Sequence, residues 1–229
     1  MYIDFVHHIN SFLAAFILLT AFGMLVQRRM SGLIFLFTWQ GLFLSIHTAL
    51  VGFLVNRHHL YISSALTLAL KVILLPYILH TLVRRLKIHK EVETIFNVPT
   101  IMLIGIALVI LAYHLVSPIR ELSPPLSLVQ PHIVTRSILA VALASVMLGL
   151  LMMITRKNAV TQIIGFLAME NGLFFAATSA TYGMPLLVEL GVALDILIAA
   201  FIFGVFFFHI HSNFDSLDVE QLARLKEVD

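Results

Sequence analysis

Cysteine is absent from the 229 residues. That excludes disulfides, thiolate metal sites and cysteine-ligated iron–sulfur clusters within the chain. Charge is scarce too: Asp, Glu, Lys and Arg make up 11%, against 60% hydrophobic residues and a mean hydropathy of +1.02. A soluble domain of this length cannot hide that much apolar surface, because globular chains run near half apolar and a quarter charged. The solvent must be mainly lipid. The net charge of +2 and pI near 9.0 do not mark a nucleic-acid surface, since the basic residues sit in short loops between apolar runs. Neither a His-Glu-x-x-His metal motif nor a Gly-x-Ser-x-Gly nucleophile elbow occurs, so any catalytic centre must come from another chain.

What the chain does have is long apolar stretches. A spanning helix needs about 20 mainly apolar residues, and candidates fall at 5–26, 32–55, 61–83, 98–117, 134–155, 159–182 and 185–211. The expected fold is therefore all-α, a polytopic membrane bundle of about seven helices. The opening MYIDFVHHINSF has no Lys or Arg before its apolar run and no small-residue cleavage site, so the first run is expected to remain as a span. The connector at 118–133 holds four of the seven prolines and divides helices one to four (1–117) from a three-helix unit (134–211). A cytoplasmic tail, 212–229, follows. In it Asp218 can cap a short helix, with Leu222 and Leu225 on one stripe.

Loop Lys and Arg set the expected orientation. Ten fall on the side of the first, third and fifth loops and the tail, among them Arg28, Arg29, Arg84, Arg85, Arg156 and Lys157. The other side has three, Arg57, Arg120 and Arg136. This puts the N-terminus outside and the C-terminus in the cytoplasm.

Four ionisable residues interrupt the apolar runs. By helical rise, Glu170 lies roughly 18 Å from the cytoplasmic end of its span, while Lys71 and Asp195 lie about 15 Å from the outer ends of theirs. In a hydrocarbon core about 30 Å thick all three are near the midplane. Glu189 sits closer to the outer surface. A charge at a helix centre costs about 2.5–3.5 kcal/mol on insertion, so these residues are expected to face one another, water or a neighbouring subunit. Such a group can relay protons; a static buried pair joining helices is the alternative. Pro76, five residues after Lys71, is expected to loosen that turn. Asn171 and Gln40 are candidate supporting polar groups, as are Thr38, Thr178 and Ser179, although such residues also serve simply as interhelical glue.

Of the eleven histidines only His47 is deep in a span. Nothing in their spacing enforces a facing pair of haem ligands. The halves also match in places: QGLF beginning at Gln40 parallels NGLF beginning at Asn171, and LALKVIL parallels VALDILI, setting Lys71 against Asp195. A tandem repeat of a three-helix unit would explain this.

QIIGFLAMENG, followed by PLLVELGVALD and SLDVEQLARLK, carries a family resemblance, joined by KVILLPYIL and GLLMMITRKN. Over essentially its whole length the chain resembles hydrogenase-4 component E. This membrane subunit family is found in group 4 nickel–iron hydrogenase and formate hydrogenlyase complexes. The resemblance implies that the last three spans are similar to the small K-type subunit of respiratory complex I and to the C subunit of multi-subunit cation/proton antiporters. In those relatives two intramembrane acids lie on a lateral proton path; Asp195 falls at the second, and Glu170 about one helical turn beyond the first. It further implies antiporter-like membrane subunits, a quinone-subunit-like anchor and a peripheral arm holding the nickel–iron centre and iron–sulfur clusters. No cofactor is expected in this chain. The implied location is the cytoplasmic membrane of a bacterium or archaeon. The function implied is that of a non-catalytic subunit linking redox chemistry to ion movement, with Glu170 and Asp195 as protonation sites, Lys71 tuning them and Glu189 as an outer gate. A cation/proton antiporter subunit and a purely structural scaffold are the rival readings.

Overall fold

A computed structural model describes residues 2–55, 58–85, 92–117 and 136–181, together with Gly191, Leu194 and Ile198. These residues form seven α-helices and one π-helical segment, with no strand among them. The helices are α1 (Tyr2–Val26), α2 (Met30–Val55), α3 (His58–Thr67), α4 (Leu75–Arg85), α5 (Val98–Val116), α6 (Arg136–Thr155) and α7 (Ala159–Thr181). The π segment, Leu68–Leu74, joins α3 to α4 without a break, so the three form one continuous rod.

Six helical stretches among the described residues are long and apolar enough to cross a membrane: His8–Val26, Met30–Leu54, Leu60–Arg84, Val98–Val116, Ser137–Thr155 and Ala159–Ser179. They coincide with the first six spans expected from the sequence. The seventh candidate, 185–211, lies outside the described residues apart from Gly191, Leu194 and Ile198. The connector 118–133 and the tail 212–229 lie outside them too.

Burial ranks the helices. In α6 and α7, 61% of the spanning window is buried inside the chain, against 17% in α5. The first pair is the centre of the bundle, whereas α5 turns Leu103, Ile106 and Ile110 outward. Small residues let α6 and α7 close up. A Cβ added at Gly149 would lie 2.5 Å from the Met169 backbone nitrogen, and one at Gly172 would lie 2.8 Å from that of Val146. In lipid, where apolar surface alone does not draw helices together, such backbone approach supplies the packing.

The α1–α2 pair packs beside α6–α7 with both pairs running in the same direction. Ala14 and Ile17 on α1 cluster with Ile138 and Val141 on α6 near one end. At the other end Arg156, just past α6, reaches the last turn of α1. Its Nη2 donates to the carbonyls of Met24 (2.7 Å), Leu25 (3.1 Å) and Gln27 (3.1 Å). Those carbonyls are the unpaired negative end of α1, which a cation satisfies. Arg156 is thus a 1% exposed cap rather than the solvated loop charge its position in the sequence suggests. Burial pushes its guanidinium down to about 10, so it remains charged at neutral pH.

The basic turns gather at that same end. Val92 N–H donates to Arg28 O (2.7 Å), and an antiparallel bridge pairs Thr94 with Arg156. The segment between α4 and α5 is thereby tied to both the α1–α2 and α6–α7 turns.

Candidate functional site

The helical rod of α3, the π segment and α4 is irregular where Lys71 sits. In the π segment Leu75 N–H donates to Leu70 O, five residues back, in place of the usual four. Proline at 76 has no N–H to give, and its ring crowds the carbonyl four residues earlier, so a wider turn just before it relieves the conflict. Such single wide turns recur at functional sites. The irregularity expected from Pro76 is therefore present, as a π turn carrying the lysine. Gly41 on α2 lets this turn approach: a Cβ there would sit 3.2 Å from Lys71 Cβ.

Lys71 is 2% exposed and meets α7. Its Nζ pairs with Glu170 Oε2 and donates to Asn171 Oδ1 at 2.8 Å. Asn171 Nδ2 in turn donates to Gln40 Oε1 on α2 at 3.1 Å. Nζ also lies 5.7 Å from the centre of the Phe174 ring, a cation–π distance. Four side chains from three spans thus make one continuous polar chain, with Glu170, Asn171 and Gln40 respectively 5%, 1% and 0% exposed. Among the described residues it contains the only ion pair.

Two atoms of this polar chain, Glu170 Oε1 and Gln40 Nε2, have no hydrogen-bond partner among the described residues. Oε1 faces Gly191, where an added Cβ would come within 3.3 Å of it. An unmade bond on a buried carboxylate oxygen is costly, about 1–3 kcal/mol or more. Lys71, Glu170, Asn171 and Gln40 are therefore brought together as candidate residues. Glu189 and Asp195 lie outside the described residues.

The supporting hydroxyls divide. Thr38 and Thr178 spend theirs within their own helices, on Ile34 O (2.8 Å) and Phe174 O (2.9 Å). Ser179 instead belongs to a second polar group that the sequence did not delimit. His47 Nδ1 is 2.9 Å from Asn10 Oδ1, and its Nε2 is 3.2 Å from Ser179 Oγ. His47 and Asn10 are fully or almost fully buried, and the imidazole also rests edge-on against Phe175 at 4.6 Å. Both ring nitrogens are therefore engaged within the chain, which does not suit a haem ligand. The one signal available in the sequence was the depth of His47.

The two groups share a seam. Gln40 and His47 lie about two turns apart on α2, and Asn171 and Ser179 about two turns apart on α7. The bonds across that seam join residues 131 and 132 positions apart. Arg156 repeats those separations with Leu25 and Met24. Gln40 and Asn171, which open the QGLF and NGLF segments matched in the sequence, thus meet across parallel helices, and the Asp195 matched to Lys71 lies outside the described residues.

No family model matches the chain, and no solved structure matches it at a significant level. Among curated proteins it is 31% identical over 202 residues to an uncharacterized protein of Mycobacterium tuberculosis, a match covering 88% of each chain. It is 29% identical over 187 residues to hydrogenase-4 component E of Escherichia coli and to that of Shigella flexneri. These matches cover 82% of this chain and 83% of each relative.

Proposed function

Because the chain belongs to the hydrogenase-4 component E family, we propose that it is a non-catalytic membrane subunit of a group 4 nickel–iron hydrogenase complex, of the formate hydrogenlyase type. In this reading Lys71, Glu170, Asn171 and Gln40 form a proton-handling station on a lateral path through the bilayer. The observation that carries it is the buried pair of Lys71 and Glu170, whose second carboxylate oxygen has no hydrogen-bond partner among the described residues.

The chemistry follows from that geometry. Glu170 Oε2 is held by the lysine, while Oε1, without a hydrogen-bond partner among the described residues, is the proposed point of arrival for a proton. Protonation there cancels the carboxylate charge and weakens its hold on the Lys71 ammonium. Such a pair is strongly coupled to charge changes nearby, because little solvent lies between them to screen it. Asn171 fixes the lysine from its other side and is itself oriented by Gln40, so the ammonium is aimed rather than free to wander. The π turn gives Lys71 a local backbone irregularity in which to move. Asp195 is proposed as the next acid on the path, with Glu189 as an outer gate.

The remaining parts of the assembly belong to other chains. The nickel–iron centre and its clusters need thiolates, and this chain has no cysteine. They are assigned to a peripheral arm, with antiporter-like subunits and a quinone-subunit-like anchor beside this one in the cytoplasmic membrane. The N-terminus is proposed to lie outside and the C-terminus in the cytoplasm, with Arg28, Arg84 and Lys157 on the cytoplasmic side.

Gentle extraction of the tagged chain from its native membrane, with mass spectrometry of what accompanies it, tests the assignment. A hydrogenase-like large subunit together with antiporter-like subunits is the expected result. Antiporter subunits without a hydrogenase would instead make it part of a cation/proton antiporter.

A further inference from the structure

The end of the bundle that gathers the basic turns forms a cavity of about 950 Å³, lined by none of the four residues of the Lys71 chain. Four cationic or protonatable groups line it: Arg28 and Arg29 from the α1–α2 turn, and His80 and Arg84 from the last turns of α4. All four are exposed, and no carboxylate lines the cavity among the described residues. Glu93 lies between two lining residues, Val92 and Thr94, but is not itself one of them.

Two helix starts open onto the same space. Met30 and Ser31 begin α2, and Asn97 precedes α5 with no side-chain cap of its own. The first N–H groups of a helix favour an anion, and here those of α2 and of α5, whose first turn lacks the N–H of Pro99, add to three guanidinium groups. The far wall is fixed rather than loose, since Val92 N–H is bonded to Arg28 O and Thr94 Oγ1 donates to Phe96 O at 2.8 Å. The inner wall is apolar. Ile34 of α2 and Val83 of α4 supply it, and both belong to membrane-spanning stretches.

We propose that this cavity is a binding site for an anionic glycerophospholipid of the adjacent leaflet, its phosphate held by Arg28, Arg29 and Arg84 and its glycerol and upper acyl carbons lying along Ile34 and Val83. A cationic rim over an apolar wall, at the level where spanning helices end, matches the headgroup boundary of a lipid. A soluble phosphate would use the rim and leave the apolar wall without a purpose. The volume is within the range of about 300–1,000 Å³ typical of small-molecule sites. The proposal does not depend on the proton path. It gives the α1–α2 turn, α4 and the start of α5 a common ligand that ties them together.

The test uses the full chain, purified and delipidated in mild detergent, then offered phosphatidylglycerol or phosphatidylcholine and read by native mass spectrometry. The wild type is expected to retain phosphatidylglycerol selectively. The triple variant R28Q, R29Q and R84Q should retain it on the order of 100-fold less well, given what each basic residue contributes near an anionic headgroup. Lys157→Gln, which removes a cation at the same end but outside the cavity, should change nothing. Equal retention of the two lipids, or an equal loss in the Lys157 variant, overturns the proposal. Displacement of the lipid by millimolar inorganic phosphate overturns it too, by showing a soluble anion site. Should the triple variant fail to fold, a photoreactive phosphatidylglycerol added to the wild type decides the matter. Labelling of the peptides that carry Ile34, Val83 or Val92 upholds the site, and labelling confined to the outer face of α5 refutes it.

Discussion

Replacing Lys71 by Met removes the described counter-charge of a carboxylate that is only 5% exposed. Breaking a buried pair from one side costs about 3–5 kcal/mol, because the charge left behind is neither solvated nor matched. Glu170→Gln takes the described counter-charge from the ammonium, a loss softened by the bond that Lys71 keeps to Asn171 Oδ1 at 2.8 Å. Removing both charges at once, in Lys71→Met with Glu170→Gln, should recover most of the loss, since two neutral side chains pay little desolvation penalty. For a chain of this size 1 kcal/mol moves the thermal midpoint by about 2–4 °C, so each single variant should melt about 6–20 °C below wild type. The double variant should return to within a few degrees. The assay is thermal unfolding of purified chain in detergent, followed by Trp39 fluorescence or by loss of the monodisperse elution peak. Equal melting of all four proteins would refute the reasoning, because it would mean that the two charges are not paired in the folded chain. Additive losses in the double variant would refute it as well.

Other predictions concern the packing around this site. Arg156→Met should destabilise the chain by at least about 1.5–3 kcal/mol, since a charged donor is withdrawn from three α1 carbonyls. Hydrogen exchange at the α1–α2 turn would report the loss locally. Gly149→Val should splay α6 from α7 at a cost of about 1–3 kcal/mol or more, visible as a lower thermal midpoint, because its side chain would run into the Met169 backbone. His47→Leu leaves Asn10 and Ser179 buried without their shared partner and should cost about 1–3 kcal/mol. If the imidazole only fills space, that variant will melt with wild type.

How much of this could be seen in the sequence follows from how membrane helices are built. Apolar length alone located the six spans now described, since in lipid the backbone has few alternatives to a continuous helix. Helical rise likewise put Lys71 and Glu170 at one depth, and they are in fact paired. Which face each residue takes was not legible. α2 and α7 are apolar all round, so no polar stripe marks the side that meets protein. The contact of Asn10 with His47 depends on that rotation, and so does the split between Ser179, which crosses the seam, and Thr178, which does not. Arg156 was hidden for a different reason: a basic residue one position past a helix reads as a loop charge until the end of α1 is seen beneath it. Pro76 announced a disturbance near Lys71, but whether proline kinks a helix or widens it to a π turn is set by what packs alongside, here Gly41.

The most direct test of the proton station uses the same double variant, Lys71→Met with Glu170→Gln, which is expected to keep the fold while removing both charges. In inverted membrane vesicles carrying the assembled complex, hydrogen-linked electron transfer and proton uptake would be measured together. The account predicts that electron transfer continues while the number of protons moved per hydrogen falls. An unchanged ratio in a correctly assembled complex would contradict it and leave the pair as a clamp between helices.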